Sequence, residues 1–271
     1  MDLQTNLPFV TRDLSGVGGD IKRRPTDFRV EEIPLYEPDE EGQHIYIRLT
    51  RQGETTRQVV DRLSNLFAIR KGAIGYAGMK DKEARTTQNF SLDLPHTNAE
   101  GVDEIADRLE DETAWKIEWV RRHRNKLRRG HLIGNRFEIV LAEPEGTVDQ
   151  ARAVAEGLIE RGVPNFYGAQ RFGRDGDNAE QGRAIVEGEG FDGPRWKRRL
   201  LCNAFQSDLY NRWLVARIER GWFDRLLEGD VAKKTDTGGL FEVKEIDDEQ
   251  PRFDRREITF TGPIYGDDLW W

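Results

Sequence analysis

Apolar and polar residues alternate along several short segments in the first half of the chain, as they do in half-buried β-strands. The segment from His44 to Thr50 is the clearest case, because its isoleucines and its leucine fall on one face. Residues 21–33 predict another short strand, entered through a turn at Pro25. Four more strands are predicted at Ile74 to Met79, Thr87 to Leu94, Trp115 to Val120 and Arg136 to Leu141.

Apolar residues at helical spacing predict helices between and after these strands. Thr55 and Gln58 are spaced as a capping box, and valines and leucines recur behind them. A short helix is predicted from Val102 to Leu109, a third helix after Thr147, and a long helical tract from about Trp196 to Arg220. The predicted apolar face of the third helix consists of Ala151, Val154, Ala155, Leu158 and Ile159.

Strands and helices follow one another without strict alternation, which predicts the α+β class with a largely antiparallel sheet. The composition changes near residue 162, where a segment rich in glycine and aromatic residues begins. Two domains are therefore expected, over residues 1–161 and 162–271. Two further strands are predicted around Leu240 to Val243 and Glu257 to Thr261.

The composition is that of a highly charged globular protein: 37% of the 271 residues are hydrophobic and 34% are charged. The apolar runs are far shorter than a membrane span, and residues 1–14 lack the pattern of a secretory signal. The single cysteine, Cys202, excludes an internal disulfide and a cysteine-based zinc site. A cytoplasmic protein without a membrane contact is expected.

The formal net charge of −8 argues against general coating of nucleic acid, but the basic residues are clustered. One acid-free run contains Arg121, Arg122, Arg124, Lys126, Arg128 and Arg129. A second cluster contains Arg195, Lys197, Arg198 and Arg199 around Trp196. Basic patches on an acidic protein indicate a defined polyanion site, and the alternative is a set of salt-bridged surface arginines.

The segment Gly75 to Gln88 carries the strongest candidate for chemistry. Asp81 lies between Lys80 and Lys82, directly after a small, glycine-bearing apolar stretch. Neighbouring cations lower the pKa of a carboxyl group, so an ionised carboxylate at this point could serve as a nucleophile. The alternative is an ordinary surface turn with solvated charges.

Several motifs occur along the chain in a recognisable order. They are Lys22 with PTDFRV at 25–30, GMKD at 78–81, GNRF at 134–137, VPNFYGAQRFG at 163–173 and AFQS at 204–207. Together they closely resemble the TruD family of tRNA pseudouridine synthases, which isomerise uridine 13 of tRNA. The resemblance spans essentially the whole chain.

The resemblance implies a pseudouridine-synthase catalytic domain interrupted by an inserted α/β TRUD domain, with tRNA as the partner and no metal or organic cofactor. Asp81 matches the indispensable aspartate of the family, which either attacks C1′ of the ribose or removes the C2′ proton. Lys22 matches a basic residue expected to pair with it. Arg171 is expected to satisfy buried carbonyl or carboxylate groups within the insertion.

The resemblance also implies a substrate site. Phe28, Asn135 and Phe137 match substrate-contacting residues, with Phe137 stacking on the flipped base. Without the resemblance the two phenylalanines would be read as core residues and the asparagine as a turn residue. Lys80 receives only a supporting role, because in a strand it would face away from Asp81. The run Arg121 to Arg129 is the candidate for contacts with the RNA backbone.

The family pattern implies a return to the catalytic domain after the insertion, with a glycine-serine-phenylalanine stretch. No counterpart is found in this sequence, so the chain is expected to be C-terminally truncated. The alternative function is therefore a non-catalytic RNA-binding or tRNA-folding factor. A third reading, a glycoside hydrolase, would need a second carboxylate across the scissile bond, for which Glu32 is the candidate.

Overall fold

The computed structural model describes residues 7–94 and 101–266. The chain divides into two compact units, one formed by Val17–Thr147 and the other by Met1–Gly16 together with Val148–Trp271. We call them the sheet unit and the helical unit. Two expectations lie partly outside the described residues: the absence of a secretory signal at residues 1–14 and the truncation at the C-terminal end.

The sheet unit contains a mixed six-stranded sheet. Its strands are β1 (Phe28–Pro34), β2 (His44–Arg51), β3 (Ile74–Tyr76), β4 (Arg85–Asp93), β5 (Lys116–His123) and β6 (Leu132–Ile139). The strand order is β5-β2-β4-β1-β6, and β3 pairs with β4. Strands β1 and β4 run parallel, whereas the remaining pairs are antiparallel. The predicted α+β class with a largely antiparallel sheet is confirmed.

Two helices, α1 (Thr56–Leu66) and α2 (Gly101–Glu112), bury one face of this sheet. The predicted capping box begins α1, because the Thr55 hydroxyl accepts the Gln58 N–H and the Gln58 side chain accepts the Thr55 N–H. Fully burying one aliphatic side chain contributes about 1.5–3 kcal/mol, so this core dominates the stability of the unit. Its fully buried members are Ile45, Ile47, Leu49, Val59, Leu63, Phe90, Leu92 and Leu109.

The hydrophobic core draws on β2 and β4, and the same face of the sheet becomes exposed at the edge strand β6. Register places Val30 opposite Thr86 of β4 on one side and opposite Phe137 of β6 on the other. Directly opposed residues share a face, so Phe137 projects from the helix-covered side of the sheet. Its side chain is nevertheless 55% exposed. The open part of this face is where the candidate site lies.

The helical unit contains four α-helices and a small sheet among its described residues. The elements are α3 (Val148–Arg161), α4 (Asn178–Val186), α5 (Arg195–Glu219), α6 (Ile246–Asp254), β7 (Val231–Lys234), β8 (Leu240–Glu242) and β9 (Ile258–Phe260). The strand order is β8-β7-β9, and the sheet is antiparallel, so this unit is α+β rather than the expected α/β. The long predicted helix is confirmed as α5, and the sequence does not predict β7. None of the helices in the described ranges is long and apolar enough to cross a bilayer.

Helix α3 differs from its prediction. Ile159, placed on the apolar face by its spacing, is 81% exposed. The helix packs through Gly157, whose missing Cβ lets Leu14 approach closely, and through the half-buried members of the predicted face, Ala151, Val154 and Leu158. Because α3 belongs to the helical unit, the division between the units falls at 147/148, ahead of the composition change near residue 162. The assignment of catalytic and inserted domains stays a prediction.

Replacing Gly75 by alanine should destabilise the sheet unit by about 1–3 kcal/mol. Gly75 pairs with Ser91 in the β3–β4 ladder, and an added Cβ would overlap the carbonyl oxygen of Leu127. Gly72→Ala is the matched control, because no atom lies within 4 Å of a Cβ built there. Denaturant unfolding of the two variants measures the difference, and equal midpoints would contradict this account of the packing.

Candidate functional site

Asp81 lies in the loop that follows β3, which ends at Tyr76 rather than at the predicted Met79. Its side chain is 44% exposed, so it is open to a ligand. The Lys22 ammonium donates a hydrogen bond of 2.8 Å to Oδ2, and the Glu83 backbone N–H donates one of 3.1 Å to Oδ1. The pairing of Lys22 with Asp81, implied by the resemblance, is thus present in the fold.

These contacts hold the pKa of Asp81 below its ordinary value, first through the hydrogen bond from Lys22 and then through the Glu83 N–H. The direction agrees with the sequence expectation, but the cause does not. Lys82 contributes through its backbone N–H, and the Lys80 side chain points elsewhere. The cation that keeps Asp81 ionised comes from 59 residues earlier in the chain.

Lys22 adopts a left-handed backbone conformation with φ of 59°. That region is uncommon for a residue with a side chain, and residues held there cluster at functional sites. The ammonium of Lys22 also lies 4.2 Å from the centroid of the Phe28 ring, at cation–π distance. Lys22 therefore links the carboxylate to the aromatic part of the site. No local sequence pattern indicates this conformation.

Phe28 and Phe137 form a tilted aromatic pair on the adjacent strands β1 and β6. Their ring centroids are 5.9 Å apart with an interplanar angle of 49°. Phe137 is more than half exposed, so its reading as a core residue is wrong. The exposed Phe137 ring, paired with the Phe28 ring that lies against Lys22, offers a flat apolar surface on which a planar ligand can stack.

Lys80 does not follow the strand alternation that assigned it to the opposite side, because it lies in the loop after β3. Its backbone N–H donates to the Thr56 hydroxyl at 2.9 Å, which ties the loop to the start of α1. Its ammonium donates to Asn135 Oδ1 at 2.6 Å and lies 2.9 Å from Glu32 Oε2. The Lys80 and Glu32 side chains are only 4% and 1% exposed.

This buried ion pair orients the amide of Asn135. Lysine can only donate hydrogen bonds, so its contact assigns the carbonyl oxygen of Asn135 to the interior. The NH₂ group then remains as the end that a ligand can meet. Asn135 lies within β6 and not in a turn, so the turn reading is wrong.

The sequence suggests Glu32 only as a second catalytic carboxylate and does not indicate its pairing with Lys80. Its other oxygen, Oε1, accepts the Asn89 N–H at 3.2 Å. One signal was present in the sequence: Glu32 occupies the same strand phase as the buried Val30. A carboxylate at a buried position needs a cationic partner, but the sequence does not identify which one.

The basic run Arg121 to Arg129, which begins within β5, is partly neutralised in the fold. Arg121 lies 3.5 Å from Glu40, and Arg124 pairs with Asp39 at 3.3 Å and with Glu41. Other members contact neutral groups: Lys126 donates to the Gly72 carbonyl and Arg129 to the Tyr76 hydroxyl. Within the described residues, the exposed Arg128 side chain has neither a carboxylate nor a neutral hydrogen-bond partner. The run lacks acids in sequence, yet the fold brings them from the segment before β2.

Replacing Lys22 by methionine should raise the pKa of Asp81 towards its ordinary value, because the first cause of its lowering is removed. Any process that needs the ionised carboxylate would then be lost at a higher pH than in the parent protein. Lys82→Met is the control, since the Lys82 contribution comes from its backbone. Carboxyl ¹³C NMR titration measures both variants, and equal pKa values would contradict the assignment to Lys22.

Replacing Lys80 by methionine leaves Glu32 buried without its cation and should destabilise the protein by about 3–5 kcal/mol. Combining it with Glu32→Gln should restore most of that loss, because both charges are then absent. Lys71→Met removes an exposed pair with Asp61 and should cost less than about 1 kcal/mol. Chemical denaturation measures all three, and a Lys80→Met protein as stable as the parent would contradict the role of the pair.

Comparisons with known proteins identify the family of this chain. The family model described as tRNA pseudouridine synthase D (TruD) matches residues 4–191 and 194–270. A tRNA pseudouridine synthase D of Thermus thermophilus is 44% identical over 260 residues, which cover 96% of this chain and 71% of that protein. One from Anaeromyxobacter dehalogenans is 44% identical over 268 residues, covering 97% of this chain and 75% of that protein.

A solved structure supports the fold as well. The crystal structure described as a tRNA pseudouridine synthase D (TruD) from Methanosarcina mazei superposes with a TM-score of 0.75 at 24% identity. The match covers 96% of this chain and 76% of that chain, and it bears on the fold alone. The family match and the curated relatives confirm the resemblance drawn from the motifs. The chain belongs to the TruD family of tRNA pseudouridine synthases, which are isomerases.

Proposed function

We propose that this protein converts uridine 13 of tRNA to pseudouridine, with Asp81 as the catalytic carboxylate. The observation that carries the proposal is the grouping of an ionised, accessible Asp81 with Lys22 and the aromatic pair Phe28–Phe137. The site offers a charged group for the sugar and a flat apolar surface for the base. Membership of the TruD family supplies the substrate class.

The reaction breaks the N1–C1′ glycosidic bond, turns the uracil and joins its C5 to C1′. C5 then gives up its proton and N1 gains one, so the product is an isomer of uridine. Asp81 either attacks C1′ or removes the C2′ proton, and both routes require the ionised carboxylate. Lys22 serves each route by keeping the pKa of Asp81 low and by fixing one of its oxygens. The Lys22–Asp81 contact therefore supports the proposed catalytic roles of both residues.

Binding of the base requires that uridine leave its stack, which costs a few kcal/mol. Phe137, with Phe28 beside it, offsets part of this cost by stacking on the extruded ring. The NH₂ group of Asn135, oriented by Lys80, donates to a uracil carbonyl oxygen. Uracil presents two carbonyl acceptors, so a fixed donor at this place suits it.

We assign residues 1–161 to the catalytic domain and 162–271 to the TRUD insertion. Arg171 supports the packing of the latter, because it donates to the Ser207 hydroxyl at 2.9 Å and to the Asn203 carbonyl at 3.4 Å. The run Arg121 to Arg129 is assigned to the RNA backbone. Its arginine–carboxylate pairs are exposed, so phosphates can replace the carboxylates at little cost.

The glycoside hydrolase reading is not favoured. It requires a second carboxylate that faces the scissile bond. Glu32 is 1% exposed and lies 2.9 Å from the Lys80 ammonium, so it is not accessible to a ligand. The non-catalytic alternative is not favoured either, because the curated synthases match 96% of this chain.

The test is pseudouridine formation by this chain on an unmodified tRNA transcript. Asp81→Asn should lower the rate by at least about 10³-fold, because the reacting carboxylate is lost, while the Kd for tRNA changes little. Asp61→Asn is the control, since Asp61 is an exposed carboxylate on α1 that pairs with Lys71.

A second transcript with cytidine at position 13 tests the position of the modified uridine. It should yield no product. Product from Asp81→Asn would contradict the catalytic assignment, and product from the cytidine transcript would contradict the position. A parent chain that binds tRNA without forming product would favour the non-catalytic factor.

A further inference from the structure

The first turn of α5 carries a cluster that the proposed catalytic site does not use. Helix α5 begins at Arg195. Its first five residues are all exposed, and the Trp196 side chain is 68% exposed. We call this cluster the α5 basic patch: Arg195, Trp196, Lys197, Arg198 and Arg199.

The four cations of the α5 basic patch are unpaired. Among the described residues, none of their side chains forms a hydrogen bond or an ion pair. Other arginines of the same helix behave differently: Arg212 pairs with Asp208 at 2.8 Å, and Arg217 pairs with Asp230 at 2.6 Å. The reading of this cluster as salt-bridged surface arginines is therefore wrong.

Helix stability does not account for these cations. The amino end of a helix carries partial positive charge, so cations in the first turn are unfavourable there. Arg195 and Arg199 are also four residues apart, a spacing at which like charges repel. Helix α6 shows the favourable arrangement, with three acidic residues in its first turn. The positive charge at the start of α5 therefore lies where it destabilises the helix.

Trp196 adds an aromatic surface to this charge. On the helix it shares a face with Arg199 and Leu200, at spacings of three and four residues. Leu200 is 40% exposed, so the tryptophan is not covered by its own helix neighbours. Cations beside an open aromatic ring are the combination that binds unpaired nucleotides: the cations contact phosphates and the ring stacks on a base.

We propose that the α5 basic patch is a tRNA contact surface, in which the four cations bind phosphates and Trp196 stacks on an unpaired base. This inference rests on tRNA being the substrate. RNA is favoured over an acidic protein because the patch provides an exposed tryptophan ring for base stacking as well as positive charge. The net charge of −8 repels a polyanion in general, so productive binding needs unpaired local cations of this kind.

The test compares two charge-matched variants of the full chain in tRNA binding at several salt concentrations. The patch variant replaces Arg195, Lys197, Arg198 and Arg199 by alanine. The control variant replaces four exposed, acid-paired arginines of the helical unit by alanine: Arg152, Arg183, Arg212 and Arg255. Both lose four positive charges, so a difference between them reflects position and not net charge.

The patch variant should bind tRNA at least about tenfold more weakly at about 150 mM salt. The slope of log Kd against log salt should decrease by about 2–3, because each lost phosphate contact removes nearly one unit. The single-turnover rate at saturating enzyme should stay unchanged, since Asp81 and its partners are intact. Thermal unfolding of both variants confirms that they remain folded.

Trp196 is tested on its own with two substitutions. Trp196→Leu removes the ring and should weaken tRNA binding about fivefold or more, whereas Trp196→Phe keeps an aromatic ring and should stay close to the parent protein. Equal weakening by both would overturn the stacking part of the proposal.

The outcomes separate this inference from the proposed function. A parent chain that neither binds nor modifies tRNA would overturn both. A parent chain that modifies tRNA, with a patch variant that binds as the control variant does, would overturn the α5 basic patch alone. That result would instead favour an acidic protein as the partner of this surface.

Discussion

The buried ion pair between Lys80 and Glu32 is the contact on which the candidate site depends. Lys80 lies beside Asp81 in the chain, and its backbone N–H is held by Thr56 at the start of α1. Its ammonium joins Glu32 of β1 to Asn135 of β6. One residue thus fixes the loop, the helix and two strands together. A desolvated charge pair tolerates little displacement, so the position of Asp81 is well defined.

The two lysines of the site serve different purposes because their surroundings differ. Lys80 is almost fully buried and positions Asn135, whereas Lys22 is partly exposed and keeps Asp81 ionised. A hydrated, exposed pair can exchange its partner for a ligand at low cost, but a buried pair cannot. The buried Lys80–Glu32 pair is therefore a rigid support, whereas the exposed Lys22–Asp81 pair can rearrange when a ligand binds. The aromatic pair Phe28–Phe137 lies beside Lys22.

Patterns of local spacing predicted much of the fold. The alternation of β2, the capping box of α1 and the long helix α5 were correct, because each depends on residues a few positions apart. The errors arose where a local rule was extended too far. Strand alternation was applied to Lys80 beyond the end of β3, and helical spacing was applied to Ile159, where Gly157 allows a closer packing contact.

The sequence by itself determined the fold class, most elements and the family. Only the tertiary structure decided which charges meet. The cation that pairs with Asp81 is Lys22 and not its neighbour Lys80. The basic residues Arg121 and Arg124 pair with carboxylates from residues 39–41. The α5 basic patch pairs with no carboxylate among the described residues. The reason is physical: an ion pair requires proximity within about 4 Å, and only the tertiary fold brings residues far apart in the chain to that distance.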